Sequence, residues 1–125
     1  MIKKDFGNNF KWGVATSSFQ IEGSNEIDGK LDSVWDVFTK TKDKIRNGDN
    51  ATNACNHYEL WKEDFKLLKK LGINSYRFSV SWPRVVKDNL KTKNQKGIDF
   101  YKSQIEELLK HNIDPFLTLN HWDIP

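Results

Sequence analysis

Between residues 56 and 71 the apolar side chains Trp61, Phe65, Leu68 and Leu71 recur at the spacing of one helix face, with Leu60 and Leu67 beside them. That pattern predicts a helix over about 56–71. Asn56 stands where it can cap the start, and Gly72 stands where the chain must leave the helix. On the wet side, Glu63 precedes Lys66 and Glu59 precedes Lys62 at the spacing of weak helical ion pairs. A second helical period covers about 95–111, with Ile98, Tyr101, Ile105, Leu108 and Leu109 turned inward.

Three shorter stretches alternate with period two. From residue 10, bulky Phe10, Trp12 and Val14 interleave with small Gly13, Ala15 and Ser17, which suits a strand whose faces meet different neighbours. In residues 73–81, Tyr76, Phe78 and Val80 alternate with Ser75, Arg77, Ser79 and Ser81 until Trp82-Pro83-Arg84 ends the strand. A loop with Lys87, Asp88 and Asn89 leads to the second helix. A third strand, 115–120, follows the turn Asn112-Ile113-Asp114. Residues 25–56 are rich in Asp, Asn, Gly, Lys and Thr, with a turn at Asn47-Gly48-Asp49-Asn50. Within them Leu31, Val34, Trp35, Val37 and Phe38 predict a short helix or a packed turn.

The order strand, long connection, helix, strand, helix, strand means parallel strands joined by right-handed crossovers. Two architectures fit: a doubly wound nucleotide fold and a (β/α)8 barrel. The first announces itself with a glycine loop. No Gly-x-Gly-x-x-Gly occurs, and Gly23-x5-Gly29-Lys30 has one residue too many for a phosphate loop, with Leu31 where Ser or Thr belongs. The expected fold class is therefore α/β: the N-terminal part, about three β/α units, of a (β/α)8 TIM barrel. A whole barrel takes about 250 residues. The 125 residues are thus expected to be the front of a larger barrel domain, whose remainder would cover Trp12, Phe78, Phe116 and Leu119.

Composition narrows the partners. With 37% hydrophobic and 30% charged residues the chain belongs to the soluble globular class. The net charge of +3 comes from 20 basic and 17 acidic residues that are mixed: Glu59, Glu63 and Asp64 lie among Lys62, Lys66, Lys69 and Lys70, which excludes a nucleic-acid stripe. No apolar run reaches the roughly 18 residues of a membrane span. The basic start Met1-Ile2-Lys3-Lys4 runs into Asp5, Asn8 and Asn9 without a signal peptide's apolar core, so a cytoplasmic location is expected. The glycosylation pattern Asn50-Ala51-Thr52 is then idle. Cys55 has no disulfide partner and is expected to be a small buried residue. Cys55, His57 and His111 fall short of a zinc set, and His111 suits the negative end of a helix dipole. No metal and no cofactor are expected.

Candidate chemistry gathers at the strand ends, where groups of a parallel α/β protein face the ligand. Gln20 and Glu22 follow the first strand. His121 and Trp122 follow the third; taken singly they read as a hydrogen-bonded histidine and a packed tryptophan. Arg77, mid-strand between Tyr76 and Phe78, is costly to bury unless it meets an anion. A structural ion pair and a place in the site are equally open for it.

The stretch Phe10-Lys-Trp-Gly-Val-Ala-Thr-Ser-Ser-Phe-Gln-Ile-Glu-Gly-Ser24 resembles the N-terminal signature of the family 1 glycoside hydrolases, the β-glucosidase family, at every patterned position. Tyr76-Arg-Phe-Ser-Val-Ser-Trp-Pro-Arg84 resembles that family's second barrel strand, and Thr118-Leu-Asn-His-Trp-Asp-Ile-Pro125 its third-strand motif. The resemblance implies a retaining β-glycosidase of carbohydrate metabolism acting on a small β-glycoside or oligosaccharide. Such an enzyme uses an acid/base carboxyl and a nucleophilic carboxyl about 5–5.5 Å apart. The motifs that carry those two carboxyls in the family do not occur here. The resemblance therefore implies a chain that supplies binding groups, lacks the catalytic pair, and is inactive without the rest of the barrel. It implies that Gln20, His121 and Trp122 hold the sugar, that Arg77 contacts the missing nucleophile, and that Glu22 supports the site without donating the proton. Sugars suit such groups: an amide both donates and accepts, and an indole walls the apolar C–H face.

Asn120 and Asn56 depart from the family, which often has an aromatic residue at the first position and usually Asp at the second. The phosphoglycoside branch usually has Phe where Trp122 stands, so Trp122 leans toward unphosphorylated glycosides, with a 6-phospho-β-glycosidase as the alternative. A truncated non-catalytic product is a further rival. An unrelated α/β binding module does not account for three matching blocks in order.

Overall fold

The computed structural model describes residues 3–88 and 90–125; Met1 and Ile2 of the basic start and Asn89 of the loop lie outside them. In chain order come β1 (Gly13–Ala15), the one-turn helix α1 (Ser18–Ile21), α2 (Val34–Lys40), α3 (His57–Lys70), β2 (Ser75–Ser79), the one-turn α4 (Trp82–Val85), α5 (Gln95–Lys110) and β3 (Asp114–Thr118). Short 3-10 turns sit at Lys3–Phe6, Ile27–Gly29 and Arg46–Gly48. The strands form one parallel sheet in the order β1-β2-β3, with Ala15 opposite Arg77 and Arg77 opposite Phe116. No described helix is long and apolar enough to cross a membrane.

The alternation in β2 sends Tyr76 and Phe78 into the core, where they meet Phe65 of α3, Phe100, Tyr101 and Leu108 of α5, and Ile113. The Tyr76 and Phe78 rings stack at 5.6 Å, and Phe65 meets Tyr76 edge-on. Fully burying one such side chain is worth about 1.5–3 kcal/mol, which holds α3 and α5 on one face of the sheet. Helix α5 also approaches α4 closely. A Cβ on Gly97 would lie 2.0 Å from the Arg84 carbonyl oxygen, so only glycine fits there. Asn94 Nδ2 locks the same corner by donating to the carbonyls of Arg84 and Asp28, at 2.9 and 2.8 Å.

Several boundaries and faces differ from the sequence reading. β1 begins at Gly13, because Phe10 and Trp12 pack with Phe6 as an aromatic cluster ahead of it. Asn56 does not cap α3 with its side chain; its backbone is left-handed, at φ 55°, and the Tyr58 N–H is taken by the Glu22 carbonyl at 3.0 Å. A tertiary contact thus does the work expected of a local cap. Gly72 behaves as its position predicts: at φ 70° it ends α3 while Ile73 N–H returns to the Leu68 carbonyl. Leu71 and Leu109 are exposed. Neighbouring positions on a helix point about 100° apart, so Leu108 and Leu109 cannot both face the core. Cys55 is exposed, not buried, since its turn is anchored through the backbone, Cys55 N–H to the Ile21 carbonyl. Phe78 is covered by this chain's own helices, whereas Phe116 and Leu119 stay exposed.

Candidate functional site

Parallel pairing puts the carboxyl ends of the strands on one rim. The pairing continues past them: Thr16 N–H donates to the Arg77 carbonyl at 2.9 Å, and Val80 N–H to that of Thr118 at 3.0 Å. Ser18 N–H then donates to Ser79 Oγ at 2.8 Å, which turns the chain from β1 into α1 over the rim. Helix α1 carries Gln20. Ser17 Oγ donates to Gln20 Oε1 at 2.8 Å, and this leaves the amide's Nε2 to donate elsewhere.

The segment after β3 is set by its backbone. Trp122 N–H donates to Asn120 Oδ1 at 3.0 Å, Trp122 itself is left-handed at φ 75°, and Ile124 N–H returns to the Trp122 carbonyl at 3.1 Å. Val34, at the start of α2, donates its N–H to the Ile124 carbonyl at 2.9 Å. These connections bring Ser17, Phe19, Gln20, Trp35, His121 and Trp122 around one cleft of about 280 Å³. That is just below the roughly 300–1,000 Å³ of small-molecule sites. Gln20, His121 and Trp122, a hundred residues apart, therefore meet at one rim. Arg77 does not line this cleft; it is exposed in mid-β2, and no acidic side chain pairs with it among the described residues.

Trp35 reaches the cleft from a loop region where the sequence suggests packing alone. A capping box places it: Ser33 Oγ accepts from Asp36 N–H, while the Asp36 carboxylate accepts from Ser33 N–H at 2.8 Å. The spacing Ser33-x-x-Asp36 was the available signal.

Beneath the cleft lies a buried polar layer. Arg84 is 0% exposed; its Nε donates to Glu22 Oε2 at 2.9 Å and its Nη2 to the Gly23 carbonyl at 3.2 Å. The guanidinium also lies 3.9 Å from the Tyr58 ring centroid. Tyr101 Oη donates to Glu22 Oε1 at 2.6 Å, and burial, reinforced by Glu22, pushes this phenol well above 10. Glu22 is thus occupied on both oxygens in the interior, which suits a supporting role.

Two buried aspartates contrast. Burial pushes Asp36 up, but hydrogen bonds from the Ser33 hydroxyl and N–H and from Lys30 outweigh it and hold the carboxyl below 3.8. Asp123 is 1% exposed and accepts from Ser18 Oγ, yet no cation pairs with it among the described residues. Burial, with Glu22's charge nearby, holds it above 3.8. Its neutral form therefore favours folding: the contribution is fully present below pH 3.8 and is lost as pH rises through the folded value. Asp123→Asn, neutral throughout, is expected to melt higher than the native chain at pH 7, with the difference closing toward pH 3.5 (about 0.3 below the ordinary value). Melting curves across that range check it; a gap that widens on acidification would contradict it.

The family model for glycosyl hydrolase family 1 matches residues 2–125. The chain belongs to glycosyl hydrolase family 1. It is 49% identical to beta-glucosidase A of Thermotoga maritima over 125 residues, all of this chain and 28% of that protein. It is also 49% identical to the aryl-phospho-beta-D-glucosidase BglC of Bacillus subtilis over 122 residues, 98% of this chain and 26% of that one. The solved family 1 β-glucosidase of T. maritima superposes with a TM-score of 0.90 at 50% identity, over 93% of this chain and 26% of that structure. The family 1 chain therefore spans little more than a quarter of these relatives, and its three strands and their helices are the N-terminal β/α units of the family's TIM barrel.

Proposed function

We propose that the whole protein is a retaining, β-glucosidase-like hydrolase of O-glycosyl bonds, and that this chain supplies the wall that holds the sugar. The observation that carries the reading is the shared cleft, where an amide, an imidazole and an indole converge from two strand ends distant in sequence and a second indole joins them from α2. Gln20 and His121 offer donors and acceptors for adjacent hydroxyls, and Trp122 and Trp35 offer apolar walls for the ring's C–H faces. Retaining hydrolysis also needs an acid/base and a nucleophilic carboxyl, which this reading assigns to residues outside the chain. Arg77, on the sheet face beside Phe116, is then the group that pairs with the nucleophile.

Solved complexes of the T. maritima β-glucosidase with glucoimidazole and deoxynojirimycin support a sugar-like ligand. Trp122 favours an unphosphorylated β-glycoside. The likeness to the B. subtilis phospho-glucosidase keeps a 6-phospho-β-glycoside as the second reading.

The test is a chimera in which this full chain replaces the matching segment of the T. maritima enzyme. It is expected to hydrolyse an aryl β-glucoside in preference to its 6-phosphate. His121→Ala in the chimera is expected to lower kcat/KM about 30- to 1,000-fold, or about 2–4 kcal/mol, because sugar hydrogen bonds strengthen in the transition state. The melting temperature should stay within a few degrees. Matched losses of stability and activity would assign His121 to packing, and a well-folded chimera that cleaves neither substrate would overturn the reading.

A further inference from the structure

Trp122 presents a mechanical problem. The residue is 76% exposed, so packing does not hold it, yet it borders the cleft from a left-handed backbone at φ 75°. Bulky residues adopt that conformation only where the surroundings impose it. The imposition must come through the backbone, and its strongest fixed point is the next residue.

We propose that Asp123 is the positioning residue that sets His121 and Trp122 for the sugar, by fastening the segment after β3 to α1 and to the end of β2. This rests on the reading of the cleft as a sugar site. The fastening is a chain of short polar contacts. Asp123 Oδ2 accepts from Ser18 Oγ at 2.5 Å, and Ser18 Oγ lies 3.0 Å from Ser79 Oγ. Ser79 Oγ also accepts the Ser18 N–H, so one hydroxyl at the end of β2 and one carboxylate hold the first residue of α1. Ser18 is two residues from Gln20, and Asp123 is adjacent to Trp122. One buried carboxylate thus joins the two walls of the cleft. On its far side, the Ile124 carbonyl is held by the Val34 N–H of α2, the helix that carries Trp35. Asp123 does not line the cleft, so its effect on a substrate is transmitted through the residues it places.

The arrangement separates fixing from binding. The Gln20 Nε2 and the His121 ring are not spent on holding the segment, because its anchorage lies one residue away in the interior. A hydrogen-bond acceptor of carboxylate shape at position 123 is what the geometry demands. Asparagine retains such an acceptor; alanine does not.

The test uses the chimera that carries the full chain, grown with 5-fluorotryptophan, with the Trp122 signal assigned by its loss in Trp122→Phe. Asp123→Ala is expected to move the fluorine resonance of Trp122 toward that of the free amino acid while those of Trp12 and Trp61 stay in place. It should lower kcat/KM for an aryl β-glucoside at least about tenfold, chiefly through KM. Asp123→Asn should leave the Trp122 resonance near its native position and restore kcat/KM to within about threefold. If Asp123→Ala does not fold, Ser18→Ala removes the same contact from the other side and is expected to move Trp122 alone. An unmoved Trp122 resonance in a folded Asp123→Ala protein would overturn the proposal. So would a common collapse of all the tryptophan signals in Asp123→Ala and Ser18→Ala, which would make the contact one of general stability. A Trp122 resonance that moves in a chimera without glycosidase activity supports the positioning role and counts against the sugar reading, so the two fail separately.

Discussion

Glu22→Ala is expected to destabilise the fold by about 3–5 kcal/mol, the range for removing one partner of a buried ion pair. Arg84 is left wholly buried without its anion, and Tyr101 Oη loses its acceptor in the same step. Against the roughly 5–15 kcal/mol that whole domains retain, this removes between about a fifth and the whole of the margin. The contact also spans 62 positions in sequence, tying the residue after α1 to α4. Its loss should loosen the cleft's first wall together with the core. Glu22→Leu combined with Arg84→Met should cost less than either single change, since no lone charge then remains inside. Urea melts of the four proteins give the coupling directly. A Glu22→Ala protein as stable as the native one would show that the pair is dispensable.

The chain by itself is expected to release no measurable aglycone from an aryl β-glucoside. Glycosidic bonds break through protonation of the leaving group and attack on the anomeric carbon, and each step needs its own carboxyl. Under the proposed reading the cleft contributes orientation only. Orientation raises a rate when there is a reacting group to orient, and enzymes lower barriers by about 8–23 kcal/mol through the full set. Adding the matching remainder of a family 1 barrel in trans should restore turnover if the two parts associate. Turnover above a blank by the chain alone would overturn this expectation.

The long helices α3 and α5 were legible because a 3.6-residue period survives wherever one face is buried. The alternation in β2 was legible for the equivalent reason. Less was visible where tertiary contact overrides local preference. Nothing around Asn56 reveals that Glu22 supplies the cap of α3 from outside, and nothing around Gly97 reveals that α4 lies against it. Phe100 belongs to the core but stands beside Tyr101, which fits the helical stripe better. In the site, Gln20, His121 and Trp122 could be found because they sit at strand ends inside long motifs. Trp35 was signalled only by the capping-box spacing Ser33-x-x-Asp36, which marks a helix start without saying what the helix faces. Asp123 escaped notice since a carboxylate next to a histidine and a tryptophan reads as solvent-facing, and its burial depends on hydroxyls from Ser18 and Ser79 that are remote in sequence.

The spatial order β1-β2-β3 repeats the order along the chain. Each strand therefore adds to an edge already made, and none must thread between two earlier ones. A polypeptide emerging at about 5–20 residues per second can lay down such a sheet as it is synthesised, with β1 as template for β2 and β2 for β3. The first strand then waits longest for its second neighbour. In a closed barrel that neighbour is the last strand made, so the free backbone edge of β1 is paired only at ring closure.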